Sequence, residues 1–447
     1  MKDMTNGSIS KNIFFFSVPM LLGNIFQQLY NVVDSVIVGR FIGKGALASV
    51  GASFSVMFLI IALIMGATMG SMVLISQFYG AKDHKNLIKM IDTTYIFLFF
   101  MALLSTLLGL VFSENILLLL NTPKEIMNEA KVYLQIMFIG MPALFGYNGL
   151  SAVMRGVGDS KTPLYLLIVA SILNVILDLI FVVVFKWGVA GAAWATIISQ
   201  GFSFVMGVFI LYIKKSPIAF KLKGVVFDFY LFKKSITIGI PTSIQQMAVA
   251  FGMMALTRIV NGFGTNALAA FTVAGRIDSF AMMPAMNFSM ALSTFTGQNV
   301  GAKKLDRVAK GLKSTLVMSS VVCIIITLSI IFFGKYLIKM FSTDPSVILI
   351  GLEYLYIVGC FYIVFSIMFV FNGILRGAGD TFIPMIVTVM SLWIVRIPLS
   401  FMLSKVYGTK GIWLGIPIAW AIGSFVLFIY YKTGNWKNKI AIDSIKN

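Results

Sequence analysis

Twelve stretches of this 447-residue chain are apolar and long enough to cross a lipid bilayer, since a helix needs about 20 apolar residues to span the hydrocarbon core. They fall at roughly 13–39, 46–77, 88–112, 130–154, 163–185, 191–213, 235–257, 267–297, 312–333, 352–375, 382–404 and 411–431. A soluble fold cannot hide so much apolar sequence, because only 11% of the residues are charged, where soluble chains carry about 25%. Soluble enzyme, secreted module and disordered scaffold are excluded, and the chain reads as an all-α polytopic membrane protein. Residues 1–11 are short and polar. The run that starts at Ile13 is too long for a signal h-region and lacks a small-residue cleavage site, so it reads as a retained first span. Pro19, Pro142, Pro241, Pro284, Pro398 and Pro417 lie inside spans, which a helix bundle tolerates when neighbours satisfy the freed backbone groups.

The net charge is +19. In a soluble protein that balance would suggest nucleic acid. Here the cations sit in short loops, where they face anionic lipid, and no nucleic-acid partner is expected. With both termini cytoplasmic, the inner pieces carry 23 Lys and Arg, the outer pieces 10, and Arg276 and Arg396 remain inside spans. This asymmetry orients the protein in a plasma (bacterial cytoplasmic) membrane with twelve passes. Cys323 and Cys360 both lie in apolar runs and the single histidine, His84, in a loop. That leaves neither a disulfide framework nor a His/Cys metal site.

The chain also repeats itself at an offset of 221 residues. Ala46-Leu47-Ala48 meets Ala267-Leu268-Ala269, Gln77 meets Gln298, and Gly80-Ala81-Lys82 meets Gly301-Ala302-Lys303. Tyr133 meets Tyr354, Arg155-Gly156-x-Gly158-Asp159 meets Arg376-Gly377-x-Gly379-Asp380, and Pro163 meets Pro384. Each half has an even number of spans, so both enter the membrane the same way round. They are expected to be two six-helix lobes related by a pseudo-twofold axis along the membrane normal, an architecture of transporters. The divisions are an N-terminal lobe over 1–213, a cytoplasmic inter-lobe linker over 214–234, a C-terminal lobe over 235–431 and a cytoplasmic tail over 432–447.

Three acidic residues lie well inside spans: Asp34, Asp178 and Asp278. Each costs about 2.5–3.5 kcal/mol at a helix centre, so an ionisable group there is a functional candidate by default. Gln27, Tyr30 and Asp34 share one helix face, Asn174 and Asp178 share another, and Thr196 follows at the start of the sixth span. Asp34, Asp178 and Thr196 are all about 7–12 Å from the outer end of their spans. Two carboxylates, an amide, a hydroxyl and a phenol can take a proton or hold a hard monovalent cation, and the sequence does not choose between these. The repeat supplies a control, because the partners of Asp34, Asn174, Asp178 and Thr196 are Ala255, Val395, Leu399 and Pro417. The fold is duplicated and the acidic set is not, which favours ion coupling over a structural ion pair.

In the second half, Arg276 and Asp278 point to different sides of one helix. Arg396 lies at comparable depth, and either a structural pair with Asp278 or a substrate role accounts for it. Met282 and Met286 are soft side chains that suit a cavity accepting many shapes, with apolar filler as the plain alternative. The Gly-x-Gly-Asp copies resemble an intramembrane aspartyl protease signature, but each follows an Arg at a cytoplasmic helix end and precedes a Pro, so they read as turns. No nucleophile–base or metal constellation supports an enzyme.

Taken together, these residues resemble the multidrug and toxic compound extrusion (MATE) transporters. The likeness rests on the duplicated lobes, on Pro19…Gln27…Tyr30…Asp34, on Asn174…Asp178…Thr196, on the Gly-Ala-Lys loops and on the Arg-Gly-x-Gly-Asp turns. The resemblance implies secondary active export of cationic, amphipathic drugs in exchange for Na⁺ or H⁺, with two lobes rocking between inward- and outward-open states. It implies that Asp34, Asn174, Asp178 and Thr196 bind the coupling cation and that Pro19 lets the first helix bend. Arg276, Asp278, Arg396, Met282 and Met286 would line a substrate cleft. No cofactor beyond the coupling ion and no obligate protein partner are implied. The alternative is a lipid-linked saccharide flippase of the same superfamily.

Overall fold

The fold is taken from a computed structural model, which describes residues 2–219 and 224–442. Lys221 and Lys223 of the expected linker, and 443–447 of the expected tail with Lys446, lie outside the described residues. Helices α1 (Ile9–Ile37), α2 (Lys44–Gly80), α3 (His84–Leu119), α4 (Lys124–Ile139), α5 (Met141–Gly156), α6 (Lys161–Asp178) and α7 (Val189–Ile213) make up the first half. The second half contains α8 (Phe229–Asn261), α9 (Thr265–Gly301), α10 (Leu305–Lys339), α11 (Pro345–Gly359), α12 (Tyr362–Ala378), α13 (Phe382–Val389), α14 (Ile397–Tyr407) and α15 (Thr409–Thr433). All twelve expected spans are helical. Among the described residues, nine helical stretches are long and apolar enough to cross a membrane, and α4 with α5 and α11 with α12 qualify as pairs, each bent by 49°. The remaining span, α9, is less apolar because its inward face buries Asp278, Asn287, Ser293, Thr294, Gln298 and Asn299.

The two bends are satisfied in the same way. Thr106 Oγ1 donates to the Phe138 carbonyl at 2.8 Å, and Thr327 Oγ1 donates to the Gly359 carbonyl at 2.7 Å. Both threonines and both carbonyls are related by the 221-residue offset. A hydroxyl from the neighbouring helix satisfies a carbonyl released by the bend, so the break leaves no orphan in the apolar layer. The turn reading of Gly-x-Gly-Asp also holds. Asp159 N–H bonds the Met154 carbonyl and Gly158 N–H that of Arg155, with the same pattern at Asp380 and Gly379. Gly158 and Gly379 take φ of +83° and +103°, so each closes a helix as a Schellman cap.

The described chain divides into two compact units: Met1–Lys2 with Leu22–Ile240, and Asp3–Leu21 with Pro241–Asn447. These units differ from a simple division into residues 1–213 and 235–431, because residues 9–21 of α1 belong with the second unit and residues 229–240 of α8 with the first. The changeover falls beside a proline in each case, Pro19 in α1 and Pro241 in α8. Proline removes one helical hydrogen bond and makes a natural weak point, although α1 runs unbroken through Pro19.

Within the second unit, the N-terminal segment is clamped to the junction of α9 and α10. Met4 is fully buried, and its N–H donates to Gln298 Oε1 at 2.9 Å. Arg307 donates to the Met4 and Gly7 carbonyls and, through Nε, to Asn299 Oδ1. Burial works against the charge of Asp3, but the hydrogen bonds from Thr5 and Asn6 and the charge of Lys304 outweigh it and hold its carboxyl below the ordinary value. Arg307→Ala is expected to raise amide exchange at Met4 about tenfold or more, since a hydrogen bond to a charged group contributes about 1.5–3 kcal/mol. Hydrogen exchange with mass readout checks this, and unchanged protection would show that the clamp does not depend on Arg307.

Candidate functional site

In the first unit, α1, α4, α6 and α7 bring together residues far apart in sequence. Two of them sit beside widened helical turns. Asp34 lies four residues before a π-type turn at Val38–Ile42, and Asp178 immediately precedes another at Leu179–Val184. Gly43 N–H reaches the Val38 carbonyl and Phe185 N–H the Ile180 carbonyl, the i→i−5 spacing of such turns. The two turns pack on each other. Gly191, at the start of α7, lets that helix seat closely on the second turn, because a Cβ there would lie 3.1 Å from the Phe181 carbonyl carbon. Insertions of this kind often mark functional positions in helices.

The Asp34 and Asp178 carboxyls lie within hydrogen-bonding reach of each other. Asp178 has no exposed surface and Asn174 only 1%. No donor among the described residues reaches Asp34 Oδ1 or either Asp178 oxygen, and both ends of the Asn174 amide are likewise unpartnered. The hydroxyls of Tyr30 and Thr196 bond each other beside the pair. Thr196 Oγ1 also donates to the Ala192 carbonyl at 3.0 Å. An oxygen-lined cluster with two carboxyls and no basic partner needs one positive charge from outside the chain, because a buried charge without compensation is strongly unfavourable. Four of the expected residues therefore meet with Tyr30. Gln27, by contrast, is exposed and makes none of these contacts. Its spacing places it on the right face, one turn too far from the carboxyls.

Tyr133, on α4, was not marked as a site residue by sequence. It is buried near enough to Asp34, Tyr30 and Asp178 to interact with their charges. The repeat carried the missing signal. Its counterpart Tyr354 donates from Oη to Asp278 in the second unit, and Tyr362 Oη donates to the other oxygen of Asp278. An offset-related tyrosine thus faces an intramembrane aspartate in each unit.

The second unit contains a cavity of about 250 Å³, lined by Asp278, Arg396, Met282 and Met286 among aromatic and aliphatic side chains. Arg396 closes a third π-type turn, Met390–Arg396. It influences Asp278 through its charge without forming an ion pair. Of the two alternatives for Arg396, the direct pair with Asp278 is not formed among the described residues, and two phenols occupy the carboxylate. Arg276 lies apart from this cavity. It is exposed, with its guanidinium 6.0 Å from the Phe341 ring, and it does not line the cavity. Two residues along a helix turn it to the opposite side from Asp278.

The MatE family model matches residues 19–180 and again 241–402, once in each half of the duplication. The chain is 34% identical over 438 residues to the probable multidrug resistance protein YpnP of Bacillus subtilis (strain 168), covering 97% of both chains. It is 23% identical to an FAD transporter of Shewanella oneidensis, covering 94% of both. A solved structure, described as the outward-facing conformation of a multidrug resistance MATE family transporter of the MOP superfamily, superposes with a TM-score of 0.92. Its identity is 22%, and the match covers 98% of this chain and 99% of that one.

Proposed function

Because this chain belongs to the MatE family of multidrug efflux transporters, and is a multi-pass membrane transporter and not an enzyme, we propose that it exports organic compounds in exchange for Na⁺ or H⁺ through the Asp34–Asp178 cluster. The observation that carries this reading is the carboxyl pair, Asp178 fully buried and Asp34 partly so, in which neither Asp178 oxygen nor Asp34 Oδ1 meets a donor and no basic partner is present among the described residues. A cation entering from outside neutralises the cluster and favours one conformation. Its departure to the cytoplasm favours the other. Coupling requires only that the ion binds the two states unequally. Asn174 and Thr196 supply neutral oxygens for the ion, Tyr30 orders Thr196, and Pro19 is where α1 flexes as the cluster changes charge. The protein would sit in the cytoplasmic membrane with both termini inside. Its substrates would be small amphipathic molecules, cationic ones included. A saccharide–lipid flippase would need several basic groups for phosphate, and the cavity of the second unit offers only Arg396.

Ethidium efflux from cells stripped of their own exporters tests this reading. Expression is expected to restore efflux, and collapsing either the Na⁺ or the H⁺ gradient is expected to stop it. Efflux indifferent to both gradients would sink the proposal.

A further inference from the structure

We propose that the cavity of the second unit is a binding site for an organic acid with an aromatic body, its acidic group held by Arg396. The inference goes beyond the export reading above and concerns a different unit from the Asp34–Asp178 cluster.

The walls decide the body of the ligand. Phe271, Phe365, Phe369 and Trp420, with Met282 and Met286, surround a space of about 250 Å³. That is below the volume of a pocket for drug-sized molecules, and it suits a bicyclic aromatic group lying against soft thioethers and ring faces.

The polar groups decide the head. Only two lining residues carry charge, Asp278 and Arg396. Asp278 is buried, and Tyr354 and Tyr362 each donate to one of its oxygens. Each of its oxygens already accepts a hydrogen bond from the protein. The lining serines have their protons committed too, Ser279 donating to the Gly275 carbonyl and Ser391 to the Ala419 carbonyl, while Thr388 accepts the Gln245 amide at 2.7 Å and keeps its O–H as a donor. Arg396 is different. Its Nε is buried without a partner, and among the described residues the side chain forms no ion pair. A guanidinium offers five N–H donors in a planar fork that matches a carboxylate. The groups left to receive a ligand are therefore donors, and the charged one among them is a cation. A purely cationic guest would meet like charge there, and the more favourable guest carries an anionic oxygen pair. The π-type turn that ends at Arg396 widens the helix where the guanidinium must reach the cavity.

The experiment uses the purified full-length protein in lipid nanodiscs without any gradient, titrated calorimetrically with 2-naphthoate and with 2-naphthylmethylammonium. The two probes share one aromatic body and differ in the sign of the head. Naphthoate is expected to bind at least tenfold more tightly than the ammonium. Arg396→Gln is expected to weaken naphthoate at least tenfold, and Arg396→Lys by less, since it keeps the charge and loses the fork. Equal affinities, tighter ammonium binding, absence of naphthoate binding, or an unaffected Arg396→Gln variant would each overturn the assignment. The wild-type comparison decides the matter even if Arg396→Gln does not fold. Because the measurement is made at equilibrium, a failure of ion-coupled efflux leaves its outcome unaffected.

Discussion

Asp34→Asn is expected to reduce gradient-driven dye export by about 100-fold at matched membrane abundance, and Asp178→Asn to do the same. The size follows from the cost of a charge in a membrane helix, about 2.5–3.5 kcal/mol near its centre. An incoming cation removes that cost, and each 1.36 kcal/mol corresponds to a factor of ten. An amide preserves the shape of the side chain but neither takes up a proton nor offers a negative charge to Na⁺. The ion then loses its preference between the two conformations, and without that difference a gradient does no work. Stability is expected to change in the opposite sense. Neutralising one member of a carboxyl pair that has no donors relieves the demand for a counter-charge, so both variants are expected to melt at or above the wild-type temperature. Transport assayed in proteoliposomes with imposed Na⁺ or H⁺ gradients, paired with thermal melts in detergent, separates a coupling role from a structural one. Full export by either variant would remove the carboxyl pair from the coupling mechanism, and a large drop in melting temperature would mark it as structural.

Much of this molecule was legible because a bilayer is an exacting solvent. It forces apolar runs of spanning length, and it makes each intramembrane carboxylate stand out, so Asp34, Asp178 and Asp278 announced themselves by type and position. Helical spacing then grouped Asn174 with Asp178 and Tyr30 with Asp34. What spacing cannot give is the rotation of one helix against another. Gln27 and Arg276 each had a plausible place in the sequence pattern, yet Gln27 lies exposed one turn too far along α1 and Arg276 lies exposed on the opposite side of α9 from Asp278. Phenols are harder still. A tyrosine in an apolar run looks like core, and only packing reveals that Tyr133, Tyr354 and Tyr362 attend buried aspartates. The exchange of the N-terminal parts of α1 and α8 between units had no local signature beyond Pro19 and Pro241. Prolines occur in many spans, and these two did not identify themselves as boundaries.

Gly70→Val is expected to abolish accumulation of the folded transporter. Gly66 and Gly70 form a Gly-x-x-x-Gly pair on α2, a spacing that lets membrane helices approach backbone to backbone. The first third of α8 rests on it within the first unit. A Cβ on Gly70 would lie 2.1 Å from the Ser235 carbonyl oxygen, and one on Gly239 would lie 2.5 Å from that of Gly66. The Ser71 and Ser235 hydroxyls meet at 3.1 Å beside this contact. The obstacle in both cases is main chain, which cannot rotate away as a side chain would. Ordinary overpacking costs about 1–3 kcal/mol. Here the helices themselves must separate, so the cost is expected to exceed that range and to approach the whole stability of a domain, about 5–15 kcal/mol. Gly70→Ala already introduces the clashing atom and is expected to lower the melting temperature sharply. Gly45→Ala, in the same helix, has nothing within 4 Å of the added carbon and serves as the neutral comparison. Membrane abundance and detergent melts of the three variants provide the check. If Gly70→Val accumulated and melted like Gly45→Ala, the close seat of α8 on α2 would not be needed for the fold.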